Sequence, residues 1–127
     1  METQIFIYPA QELIVLTSRG TLDLPRSKQL LQRLTGSPDY DRRFKILLDL
    51  REMNCALSVM DAYELAVHMA WPNPALPTRR QVAVLVPAGR FFDHVAFLST
   101  CAQNRGLNIR SFASYEDAMA WLSVNTP

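Results

Sequence analysis

The apolar positions of the chain follow two patterns. Ile46-Leu47-Leu48 and Val82-Ala83-Val84-Leu85-Val86 are continuous apolar runs. Runs of this kind predict strands covered on both faces, as in a parallel sheet flanked by helices. Elsewhere the apolar residues recur at helical spacing. Leu30, Leu31 and Leu34 follow Asp23 and Pro25, which open a helix that Gly36 closes. Further helices are predicted from Ser58 to Trp71, from Arg90 to Asn104 and from Tyr115 to about Val124. Two short strands, Gln4 to Tyr8 and Leu13 to Ser18, flank PAQE, a hairpin turn, and Ser18-Arg19-Gly20 breaks the second of them. A last strand, Asn108 to Phe112, leads to the final helix.

The resulting order, ββαβαβαβα, predicts an α/β fold. It is a mixed, mostly parallel sheet of about five strands with about four helices packed on it, joined by right-handed crossovers. The N-terminal strand is expected at the antiparallel edge. SPDYDRR reads as a charged loop and WPNPALPTRR as a stiff surface connection. Too little chain lies on either side of that connection to fold alone, so residues 1–127 are expected to form a single domain.

Composition narrows the function classes. The chain is 49% apolar and 20% charged, as expected of a soluble globular protein, and its formal charge of +1 gives no basis for a nucleic-acid or acidic-membrane partner. Pairs such as Arg42-Arg43 and Arg79-Arg80 sit among acids or prolines and read as solvated loop charges. METQIFIYPAQ lacks a basic leader and is not expected to be a signal peptide, and no apolar run reaches the roughly twenty residues of a membrane span. Cys55 and Cys101 lie far apart and fit reduced thiols, which makes a cytoplasmic location the expectation.

The candidate chemistry is thin. His68 and His94 fall on different helices, and no Cys or His pair has metal-ligand spacing. There is no nucleophile elbow and no Cys/His pair identifiable from sequence, so no enzymatic activity, metal or cofactor is expected. Ser58-x-x-Asp61 and Ser114-x-x-Asp117 have the form of capping boxes. Asp49 and Arg51 close a central strand, and Gly89 and Arg90 open a helix at the same sheet edge, which makes these four a weak candidate site for a small anionic ligand.

Several stretches together resemble the SpoIIAA-like family of small STAS-related domains. They are FKILLDLREM, then RRQVAVLVP, and the ending LNIRSFASYEDAMAWL with Ala118, Trp121 and Leu122 on its helix. The resemblance runs from about Ile5 to Leu122 and is carried by structural motifs. It implies a mixed sheet with packed helices and a domain that binds rather than catalyses. In the anti-sigma-factor antagonists of the wider group, an Asp-Ser-Ser-Gly-like turn places a phosphorylated serine at a helix start. Here the matching region reads Leu57, Ser58, Val59 and Met60, with only the first serine kept. Ser58 therefore reads first as a cap and second as a phosphoacceptor. A further branch of related folds carries lipids in an apolar cavity.

The helices supply the main functional expectation. In the second, Asp61, Glu64 and His68 form one narrow polar stripe and apolar residues fill most of the rest, more than the roughly 100° a helix needs to face its own sheet. In the third, Phe97 projects about 200° around the axis from Val95, with Cys101 on the same side. Tyr63, Val67, Trp71, Phe97 and Cys101 are accordingly expected to form an apolar patch that makes a homodimer or meets a protein partner. A carrier or sensor of a small apolar or amphipathic ligand is the alternative, and a phospho-regulated switch at Ser58 a further one.

Overall fold

The computed structural model describes residues 3–36, 44–70 and 81–123, so the expected loop at 37–43, the proline-rich connection at 71–80 and Trp71 lie outside the described residues. The first two strands form as the hydrophobic pattern requires. β1 (Thr3–Tyr8) pairs antiparallel with β2 (Leu13–Ser18), with Phe6 opposite Val15. The turn between them is a single 3-10 turn, Pro9–Gln11, closed by Glu12 in a left-handed conformation.

β4 (Lys45–Asp49) lies parallel to β2, β6 (Gln81–Leu85) parallel to β4, and β7 (Asn108–Phe112) parallel to β6. The five-stranded sheet thus runs β1-β2-β4-β6-β7, mixed, with its one antiparallel pairing at the β1 edge. β6, between β4 and β7, is covered on both sides, since no residue from Val82 to Val86 is more than 4% exposed. This is the burial that a continuous apolar run demands.

Two short strands have no counterpart in the hydrophobic pattern. β3 (Gly20–Leu22) and β5 (Met53–Cys55) pair in parallel as a separate two-stranded sheet. They arise because β2 and β4 both break at their carboxyl ends. At the first break Gly20 takes φ +106°, open to glycine at little cost. At the second, Met53 N–H donates to the Leu50 carbonyl at 3.1 Å. The ribbon carries Leu22 and Met53 into the core and delivers Cys55 close to the start of the next helix.

Four helices flank the sheet. Three of them, α1 (Leu24–Thr35), α2 (Val59–Ala70) and α3 (Arg90–Gln103), pack on one face, over Ile14, Leu16, Ile46, Val82, Val84 and Ile109. α4 (Tyr115–Leu122) covers the opposite face, where Ala118, Met119 and Leu122 meet Leu13, Leu47, Ala83 and Leu85. Side chains from the sheet tie down its last carbonyls: Lys45 Nζ donates to Leu122 O, and Gln81 Nε2 to Trp121 O at 3.0 Å. Phe112 and Trp121 add a ring contact at 5.6 Å between centroids.

The starts of α1 and α4 are capped by their own side chains. Asp23 Oδ1 accepts from Arg26 N–H at 2.8 Å, with a proline in the first turn of α1. Ser114 Oγ accepts from the Asp117 N–H at 3.3 Å, and its hydroxyl donates to Glu116 Oε2 at 3.1 Å. Among the described residues no helix is long and apolar enough to cross a membrane.

Candidate functional site

The site begins at Ser58. Ser58 Oγ accepts from the Asp61 N–H at 3.0 Å, and Asp61 Oδ2 accepts from the Ser58 N–H at 3.0 Å. This reciprocal pair satisfies two backbone donors at the head of α2 and holds a carboxylate at the positive end of the helix. Ser58 itself is exposed, so its hydroxyl is both engaged and accessible.

From that cap, α2 turns Ala62, Leu65, Ala66 and Met69 inward. Ala62 and Ala66, with Ala102 on α3, are fully buried and small, which allows the two helices a close approach. Two side-chain contacts tie the N-terminal side of α2 to the two ends of α3. Cys55, just before α2, has its Sγ 3.9 Å from His94 Nδ1 near the start of α3. Tyr63, a turn into α2, receives a hydrogen bond from Arg105 Nη2 at 3.2 Å, just beyond the end of α3. α2 and α3 each return between parallel strands of one sheet on the same face, so the two helices run the same way.

The outer surface of this pair carries exposed apolar side chains. Among the described residues the exposed large apolar side chains are Phe6, Val59, Met60, Tyr63 and Phe97, and four of these five belong to α2 and α3. Met60 is the most open, at 72%. Tyr63 is held in place: the Arg105 guanidinium lies 5.1 Å over its ring and donates to the Cys101 carbonyl at 3.0 Å. The patch differs from the sequence expectation in its membership. Cys101 is buried and belongs to the seam beneath, not to the exposed surface, and Val67 is only half-exposed. Trp71 lies outside the described residues.

Val59 and Met60 are the members that sequence reasoning missed. A helical wheel distributes residues around an axis but does not show where the neighbouring helix lies, so it could not tell that Val59 and Met60 stay exposed. The signal available was two consecutive apolar residues directly after a cap, where the helix has only begun to pack.

The second candidate site is not assembled as expected. Arg51 Nε and Nη2 donate to the two oxygens of Asp49 at 2.9 and 2.8 Å, a bidentate pair between strand end and turn. That hydrogen bonding raises the Arg51 guanidinium above its ordinary value, partial burial opposes it, and the charges of Asp49, Tyr115 and Glu116 add to the rise. Arg51 also lies 5.8 Å over the Tyr115 ring, on the α4 side of the sheet. Asp49 and Arg51 line an open polar cavity of about 620 Å³ with Gln4, Phe6, Thr17 and Glu52. Gly89 and Arg90 are not part of its wall. Gly89 instead precedes α3 at φ +116°, without a side-chain cap.

A third space lies inside the core, between the sheet and α1, α2 and α3. Apart from Ser27 its walls are apolar, with leucines such as Leu16, Leu31, Leu50 and Leu65 beside Met69 and Val84, and its volume is about 60 Å³.

Comparison with known proteins bears on the fold. A solved structure from Shewanella loihica PV-4, an uncharacterized DUF3478-family protein with a SpoIIAA-like fold, superposes with a TM-score of 0.54. The match covers 94% of this chain and 93% of that one at 17% sequence identity. The chain therefore has a SpoIIAA-like fold. No family model matches the sequence, and neither does any curated protein.

Proposed function

We propose that this protein is a non-enzymatic interaction domain that self-associates through the outer face of α2 and α3, with Met60 and Phe97 at the centre of the contact. The observation that carries this reading is the grouping of Val59, Met60, Tyr63 and Phe97, each 40% exposed or more, on two adjacent helices. Isolated exposed apolar residues are ordinary on protein surfaces, but a group on neighbouring elements is a contact surface waiting to be covered.

The magnitudes set the expected strength. Fully burying such a side chain contributes roughly 2 kcal/mol, so a half-exposed one contributes about 1, and four on each partner of a two-fold dimer give roughly 8. Association costs about 4–15 kcal/mol in lost freedom. The four side chains therefore supply the apolar centre of a weak dimer, and a polar rim must complete the roughly 800 Å² per partner of a specific interface.

The test is sedimentation velocity from micromolar to millimolar protein. The wild type is expected to shift from monomer to dimer with concentration, while Met60→Glu and Phe97→Glu remain monomeric with unchanged thermal midpoints. A wild-type protein that stays monomeric up to about 1 mM, where the binding free energy would be only about 4 kcal/mol, ends the proposal of a homodimer. Association with a different protein through the same face would then be the surviving form.

A second reading, carriage of a small apolar ligand, draws on the apolar cavity beneath α1, α2 and α3. Its 60 Å³ is well below the roughly 150 Å³ that admits benzene in an engineered core, so a lipid-sized guest requires α1 or α2 to move outward. Native mass spectrometry of freshly purified protein separates the readings, because a carrier retains a co-purifying mass and a self-associating domain shows only multiples of the chain.

A further inference from the structure

Cys55 and His94 stand 39 residues apart in the chain, and folding brings the thiol to 3.9 Å from the imidazole Nδ1. The strand ribbon positions the cysteine: β5 ends at Cys55, and the Leu57 carbonyl lies 3.9 Å from the sulfur. His94 is held opposite it, near the start of α3. Both side chains are partly exposed, whereas the other thiol, Cys101, is buried. A reagent arriving from solution therefore meets a cysteine beside an imidazole at one position and an enclosed cysteine at the other.

We propose that Cys55 is a site of reversible S-thiolation by a low-molecular-weight anionic disulfide, with His94 accepting the thiol proton as the sulfur attacks. The nucleophile in such an exchange is the thiolate, so a base beside the sulfur sets how readily it forms. As Cys55 Sγ bonds to one sulfur of the reagent, the reagent's own S–S bond breaks and its second sulfur leaves with the electron pair. The leaving thiolate takes up the proton that His94 received. Cys55 is oxidised, one half of the reagent is reduced, and no further oxidant enters. The 3.9 Å separation is at the long end for a thiol–imidazole contact, as is common for such pairs before a reagent is bound. Arg90, exposed and one turn before His94, places a cation on the same side of α3 and favours a disulfide that carries carboxylates.

The experiment uses the full-length reduced protein and oxidised glutathione at neutral pH, followed by intact mass and peptide mapping. The expected result is one glutathionyl group per chain, on Cys55, formed faster than on the same cysteine in the urea-unfolded chain. His94→Gln is expected to lower that rate by about tenfold or more, and free imidazole to restore part of it in His94→Ala. Circular dichroism checks that both variants keep the fold. Should they lose it, the comparison of folded with unfolded wild type decides alone. Slower reaction in the folded wild type, modification of Cys101 in place of Cys55, or equal rates in wild type and a folded His94→Gln would each overturn the proposal.

Discussion

Replacing Ser58 distinguishes a helix cap from a regulatory switch. Ser58→Ala removes the oxygen that accepts the Asp61 N–H at 3.0 Å, but the bond from the residue-58 N–H to the Asp61 carboxylate can persist, because it uses only backbone and Asp61 atoms. One capping bond of two is lost at an exposed position where water can replace it. The expected cost is therefore about 1 kcal/mol and not the upper limit of about 2. For a chain of 127 residues this lowers the thermal midpoint by about 4 °C. Ser58→Asp keeps an acceptor at the cap. Its charge gains roughly 0.5 kcal/mol from the helix N-terminus and loses a similar amount to the nearby Asp61 carboxylate, so its stability should match the wild type. Urea unfolding followed by far-ultraviolet circular dichroism measures both. Equal midpoints for Ser58→Ala and wild type, or a Ser58→Asp variant as weak as Ser58→Ala, would refute the capping argument. With stability unchanged in Ser58→Asp, any loss of self-association in that variant reports the charge itself, which is the signature of a phospho-switch at this serine.

Two further substitutions probe the core and the second sheet face. Leu16 is 1% exposed and borders the internal cavity, so Leu16→Ala enlarges an existing void and should cost about 3–5 kcal/mol in urea unfolding. A loss below about 1.5 kcal/mol would show that the surrounding leucines close over the space. Gln81→Leu removes the donor to the Trp121 carbonyl and should cost about 1 kcal/mol. In a Trp71→Phe background the Trp121 fluorescence should then lose its native signal at lower urea than the circular dichroism, because the end of α4 loosens first. Coincident transitions would show that Lys45 alone is sufficient to hold it.

Much of the fold was legible in the chain because single segments carry their own physical signatures. Val82 to Val86 has no polar position to turn toward water, so it had to be covered on both faces, and it is. Ser58-x-x-Asp61 is a local device whose donors and acceptors lie within four residues, and it forms as read. The ribbon of β3 and β5 was not legible. Three residues are too short to show a period, and the pairing of Gly20–Leu22 with Met53–Cys55 depends on two strands breaking at the same level.

The apolar excess of the second and third helices was a property of the sequence, and four exposed side chains remain from it. Which residues those would be depended on the direction and offset of two helices, and this moved Cys101 inside and left Met60 outside. The Cys55–His94 pair is of the same kind, since neither residue lies within reach of the other along the chain. Sequence by itself therefore determined the four helices, the Ser58 cap and the five strands of the main sheet, because these rest on interactions within a few residues. Only the tertiary structure decided what is exposed and what chemistry meets, because both arise from segments that touch only once the sheet has assembled.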